Sequence, residues 1–174
     1  MSAGVPAPPG PVSTVAGVIA QMEAIGAALP ATDGLACFNR MYLQVTRQVY
    51  AQLGQGFYAD PAFMTYLDVA FAGLYFGAAD AAGGAAVPLA WQPLMDQRAN
   101  PGVESVQFAL AGMNAHISHD LPLALVRPAP RWRLHRRRAS ISPTTRRWTS
   151  CWTPLSSRSA NRSNPRPSSK SITT

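Results

Sequence analysis

All eight acidic residues of this 174-residue chain lie before Leu121, and none follows. In HDLPLALVRPAPRWRLHRRR the chain changes character at Val126, from an apolar helix former to arginine, serine, proline and tryptophan. Residues 1–126 carry three basic side chains, Arg40, Arg47 and Arg98, against eight acids, a net charge of −5. Residues 127–174 carry twelve basic residues and no acid, a net charge of +12. The whole-chain charge of +7 therefore describes neither part. Only the first part has the apolar content to build a core, and its length suffices for one domain.

The residues divide into a Pro/Gly/Ala-rich N-terminus over 1–11, expected to be disordered, a helical domain over 12–126 and a disordered basic tail over 127–174. Two cysteines, Cys37 and Cys151, form no framework or metal pattern, so a reducing compartment is the default. The N-terminus has no basic leader region and is broken by four prolines. No unbroken apolar run reaches the length of a membrane span. The expectation is a cytoplasmic protein with no membrane partner.

Apolar residues recur at helical spacing in four long stretches. Val15, Val18, Ile19, Met22, Ile25 and Leu29 mark the first, which Pro30 ends. Thr32 or Asp33 can cap the second, whose stripe runs from Phe38 to Leu53 before Gly54 and Gly56. Asp60-Pro61 opens the third, with an acid at the cap and proline in the first turn. A loop is expected over AADAAGGAAVP, then a short helix or turn anchored by Trp91, then a fourth long helix from about Val103. Asp120 caps a final short helix, LPLALV. No stretch alternates like a strand, so the class is all-α, an irregular up-and-down bundle.

GMNAHISHDLPLAL is the densest polar signal. A helix continued through it puts His116, His119 and Asp120 on one face, at i, i+3 and i+4. Two imidazoles and a carboxylate so placed can hold a divalent metal such as zinc, or a small ligand. Asp68 is the best second carboxylate, and Asn39 and Arg40 are candidate ligand-binding residues on the second helix. The purely structural alternative makes Asp120 an N-cap, His119 a solvated helix end and His116 a core histidine bonded to a carbonyl. It also places Asp68 on a solvated face or in an ion pair with Arg40 or Arg47, and a non-enzymatic interaction module of this kind would have the three side chains of the cluster diverge. No Ser/His/Asp order, phosphate-cradling glycine loop or CxxC pattern is present. Whether the chain is an enzyme stays open on these residues.

ACFNRMYLQVT, YADPAFMTYLDVAFAGLYF, AWQPLMDQR and VQFALAGMNAHISHDLPLALV together resemble an uncharacterised actinobacterial family, a compact helical domain of unknown function. The resemblance spans nearly all of residues 14–126 and implies kinship and fold, with no established activity. The H-x-x-x-D-L spacing of His116, Asp120 and Leu121 is also similar to that of the helical zinc phospholipase C and P1-type nuclease group. That likeness implies zinc-dependent phosphoester hydrolysis, although the group's N-terminal tryptophan ligand and further histidines are missing.

The tail has two readings. As written, RPAPRWRLHRRRAS and TTRRWTSCWTP interleave arginines with tryptophans, which suits non-specific binding of nucleic acid. The preferred reading is a frameshift near Val126. Skipping two nucleotides forces an apolar residue at Arg147-Trp148, Asp at Trp148-Thr149, apolar at Ser150-Cys151, Leu at Cys151-Trp152 and Asp at Trp152-Thr153. Apolar residues at i, i+3 and i+4 with acids between them describe an amphipathic helix. The bundle as encoded would then be incomplete at its C-terminus, leaving an apolar face open to self-association. A chain ended at Val126 is expected to lose all salt-sensitive retention on immobilised single-stranded DNA; retention at unchanged salt dependence would place the polyanion-binding surface in the helical domain.

Overall fold

The computed structural model describes residues 12–81 and 86–127, so the expectations for residues 1–11 and for the tail beyond Arg127 lie outside the described residues. The elements are α1 (Val15–Ala28), α2 (Gly34–Leu53), α3 (Pro61–Ala81), α4 (Gln92–Gln97), α5 (Ser105–Ala115), a π-turn (His116–Asp120) and α6 (Leu121–Val126). The described residues contain no strand, and the fold is all-α.

Local chemistry sets most of the boundaries. Thr14 Oγ1 accepts from Gly17 N–H at 3.0 Å and starts α1. Asp33, rather than Thr32, starts α2, its Oδ1 accepting from Leu35 N–H at 2.8 Å. The same carboxylate pairs with Arg98 at 2.8 Å, and Gly34 N–H donates to the Arg98 carbonyl at 2.7 Å. Asp33 thus fastens the chain just after α4 to the start of α2. Asp60 Oδ1 accepts from Phe63 N–H at 2.9 Å, which opens α3 as expected. Glu104 and Gln107 form a reciprocal capping box before α5.

α2 is the central helix, touching α1, α3, α4 and α5. Leu35, Phe38, Tyr42 and Val49 are fully buried on it. Its contact with α5 depends on two glycines. A Cβ on Gly112 would collide with the Phe38 ring, and a Cβ on Gly34 would sit 2.5 Å from Phe108 Cδ1. Each helix contributes one glycine and one phenylalanine, so each ring fills the space left by the glycine opposite. Asn39 adds a polar tie: its Nδ2 donates to the Met22 carbonyl of α1 at 2.8 Å, and its Oδ1 accepts from Tyr75 Oη of α3 at 3.0 Å.

Two expectations need correcting. The loop expected from Ala78 begins later, because α3 continues through Ala81, with Ala78, Ala79 and Ala81 buried. Alanine has the highest helix propensity, and here its small size also meets neighbouring chain. α3 is also long and apolar enough to cross a membrane, contrary to the reading from unbroken runs, but half of that stretch is buried within this fold. Exposed large apolar side chains concentrate on α5 and α6: Val106, Leu110, Leu123, Leu125 and Val126.

Gly112→Ala is expected to destabilise the protein by about 1–3 kcal/mol through overpacking against Phe38. Gly73→Ala, mid-helix on α3 with open space around it, should stabilise by about 0.5–1 kcal/mol. Urea midpoints of the two variants check this, and equal effects of the two would refute the close approach of α2 and α5.

Candidate functional site

The site is built on the turn between α5 and α6. Pro122 has no N–H, and its ring crowds the carbonyl four residues back, that of Ser118. The helix does not break there; it widens. Leu121 N–H bonds to the His116 carbonyl, five residues back, and residues 116–120 form one π-turn. Such turns put an extra residue into a continuous helix and change which side chains meet.

The widened turn brings His116, His119 and Asp120 together. His116 Nδ1 lies 2.8 Å from Asp120 Oδ2, and His119 Nδ1 lies 2.7 Å from Asp120 Oδ1. Trp91 Nε1–H donates to Asp120 Oδ2 at 3.0 Å from just before α4. Asp120 therefore accepts three N–H bonds. Its side chain is 2% exposed and makes no cap bond to α6, so it is not the N-cap expected from the sequence. Its partners diverge from the structural alternative in another way: His116 bonds to this carboxylate and not to a carbonyl.

Burial alone would raise the Asp120 pKa, but the bonds from His116, His119 and Trp91 outweigh it and hold the group below the usual carboxylate range. Asp120 is then an anion and can only accept, so both histidines carry their proton on Nδ1. Burial pushes the His116 pKa down to about 4, against the pull of Asp120, so this imidazole is neutral. Its ring is wholly buried, stacked on Phe71 at 3.5 Å and 14°, with Tyr42 edge-on at 4.6 Å. His119 differs: its side chain is 40% exposed, and Nε2 is the nitrogen left for solvent or a ligand.

The other candidates fall elsewhere. Asn39 is spent in the inter-helix tie already described. Arg40 is exposed and donates to the Ala31 carbonyl at 2.9 Å and to Cys37 Sγ at 3.3 Å. Asp68 is neither solvated nor paired with arginine. It is 1% exposed, and both of its oxygens lack a hydrogen-bond partner. Arg47 bonds instead to Glu23 at 2.6 Å. Among the described residues, no group of three or more His, Cys, Asp or Glu side chains is arranged to hold a metal ion. Trp91 as a donor was missed; its signal was a buried indole, whose N–H requires an acceptor.

Neither the curated proteins nor the solved structures include a match to this chain. A family model described as a family of unknown function, DUF5995, matches residues 15–141. The match takes in the whole π-turn site and runs past the change of composition at Val126.

Asp68 and His116 have opposing effects on stability. Burial raises Asp68 from 3.8 to about 7, so the folded protein holds that proton more tightly and stability falls as pH rises from 3.8 to about 7. His116 is lowered from 6.5 to about 4, so its contribution is present above pH 6.5 and is lost as pH falls towards 4. The two slopes nearly cancel over pH 4–6.5 in the wild type. Asp120, held low, adds a loss only as pH falls below its ordinary range. Asp68→Asn should expose the His116 slope, and its advantage over wild type should grow with pH to about 4 kcal/mol near pH 7. Urea unfolding between pH 4 and 8 measures this. A pH-independent difference between the two proteins would show that Asp68 titrates normally.

Proposed function

The chain belongs to DUF5995, a family of unknown function, and we propose that its π-turn is a proton-transfer site for a small polar ligand. The observation that carries this reading is the pair of imidazoles sharing one carboxylate, one buried and one 40% exposed. Asp120 accepts a hydrogen bond from the His119 Nδ1–H, which orients the ring and leaves the Nε2 lone pair as a base facing outward. When His119 takes a proton from a ligand, the adjacent anion stabilises the imidazolium. Trp91 and His116 hold Asp120 from the inside, at 3.0 and 2.8 Å, so the carboxylate cannot swing away. The Ser118 hydroxyl donates to Asn114 Oδ1 at 3.2 Å, one turn back on the same helix.

A divalent cation is the second reading. A carboxylate on Nδ1 of a histidine is the arrangement that orients imidazoles at metal centres, where Nε2 is the ligand. His119 Nε2 would bind such an ion directly and Asp120 would stand behind it, instead of all three residues sharing one ion. Further ligands would have to come from water, substrate or residues beyond those described. Zinc held this way would activate water for phosphoester hydrolysis.

A panel of nitrophenyl phosphate and carboxylate esters, assayed with and without zinc, separates the readings. Loss of the general base in His119→Gln is expected to lower turnover by about 10²–10⁴-fold. Zinc-dependent turnover would favour the cation, and zinc-independent turnover the proton-transfer site. The proposal fails if no ester turns over and none shifts the His119 ring resonances in solution.

A further inference from the structure

The described core contains a mismatch of donors and acceptors. His116 Nε2 has no hydrogen-bond partner, and neither oxygen of Asp68 has one. His116 is 0% exposed and Asp68 1%. With the Nδ1–H of His116 donated as a hydrogen bond to Asp120, Nε2 is a bare acceptor, and Asp68 offers a carboxyl oxygen as acceptor whether or not it holds its proton. These groups lie in one neighbourhood. Phe71, one turn beyond Asp68 on α3, stacks on the His116 ring at 3.5 Å. Tyr42 on α2 has its ring 4.6 Å from that of His116, and the Asp68 carboxylate lies near enough to help burial raise the Tyr42 hydroxyl pKa. Among the described residues, no hydrogen bond joins Asp68 to His116 directly. A buried acceptor without a donor bears its full desolvation cost, so a pair of them calls for a donor to be supplied.

We infer that a water molecule is built into the core between α3 and the π-turn, donating one hydrogen to His116 Nε2 and the other to Asp68. Water is the smallest molecule with two donors, and sites of this kind, polar and closed to bulk solvent, are where internal water is kept. Asp68 thereby becomes a positioning residue. It acts through the water on His116, which holds Asp120, which orients His119. Its consequence for the ligand rests on the reading of His119 given above, but the bridge itself does not.

The groups facing this water come from three helical elements. α3 supplies Asp68, α2 supplies Tyr42, and the π-turn supplies His116 with Asp120 behind it. α6 carries no titratable side chain, and Glu23 of α1 is turned outward to Arg47.

The experiment combines a crystal structure at a resolution that shows ordered water with imidazole nitrogen spectra of the full chain. The expected result is a buried water within hydrogen-bond distance of His116 Nε2 and Asp68, and an Nε2 resonance typical of a bonded acceptor. Asp68→Leu, similar in volume, should lose the water and move that resonance to the free-acceptor position. Asp68→Asn keeps a carbonyl acceptor and should retain both signals, which keeps the test valid if the leucine variant folds poorly. An empty site in the wild type, or an Nε2 resonance unchanged in Asp68→Leu, overturns the inference. If the His116 signal moves as expected while His119 fails the ester and ligand tests, the water bridge stands and the proton-transfer reading falls.

Discussion

Asp120 is the interaction on which the rest of this structure depends. It is one carboxylate, almost wholly buried, that gathers an indole N–H from before α4 and two imidazole N–H groups from its own turn. Among the described residues, no arginine or lysine bonds to it; its partners are three N–H donors. Three charge-assisted bonds are enough to keep it ionised despite burial, because each is about twice as strong as a neutral pair. Losing the carboxylate would strand a buried indole and a buried imidazole together. The α4 segment, the π-turn and the ring cage around His116 are therefore one cooperative unit.

That unit exists because of a local constraint in the backbone. In an unbroken α-helix the i, i+4 pair of His116 and Asp120 would already be neighbours, but the adjacent His119 would compete for the same surface. Pro122 removes a donor and crowds the turn before it, and the chain responds by opening to a five-residue repeat. Both oxygens of Asp120 then find separate imidazoles. The aromatic rings complete the arrangement from other helices: Phe71 covers one face of His116, and Tyr42 and Phe38 approach it edge-on. The stack positions His116 so that its other nitrogen faces inward, away from solvent.

The helices were legible in the sequence because their signals are short-range. Asp33 and Asp60 cap where expected, Pro30 follows the end of α1, and the apolar stripe of α2 is its buried face. The cluster was also legible, since residue spacing along a helix fixes which side chains share a face. What spacing could not show was direction. Whether Asp120 caps α6 or turns inward depends on Trp91, 29 residues earlier, and no local pattern records that pairing. Asp68 was harder still. A lone acid within an apolar stripe reads as solvated or paired, and its burial is set by how α1, α2 and α6 close over α3. The extension of α3 through Ala78–Ala81 was hidden because alanine and glycine clusters read equally as loop.

Stability does not explain every polar group in this core. Asp33 and Asn39 each satisfy several partners and tie helices together, so their presence is accounted for by structure. Asp68 ties nothing among the described residues, and a leucine of similar volume would avoid both its desolvation and its unmet bonds. His116 is half accounted for: Nδ1 serves Asp120, while Nε2 is a second unmet acceptor. The water inferred between Asp68 and His116 would supply the donor that both lack, so the pair is accounted for by a bound molecule and not by a tie between helices. Structural ties satisfy their own atoms, whereas a buried pair left without partners calls for a bound water or ion between them.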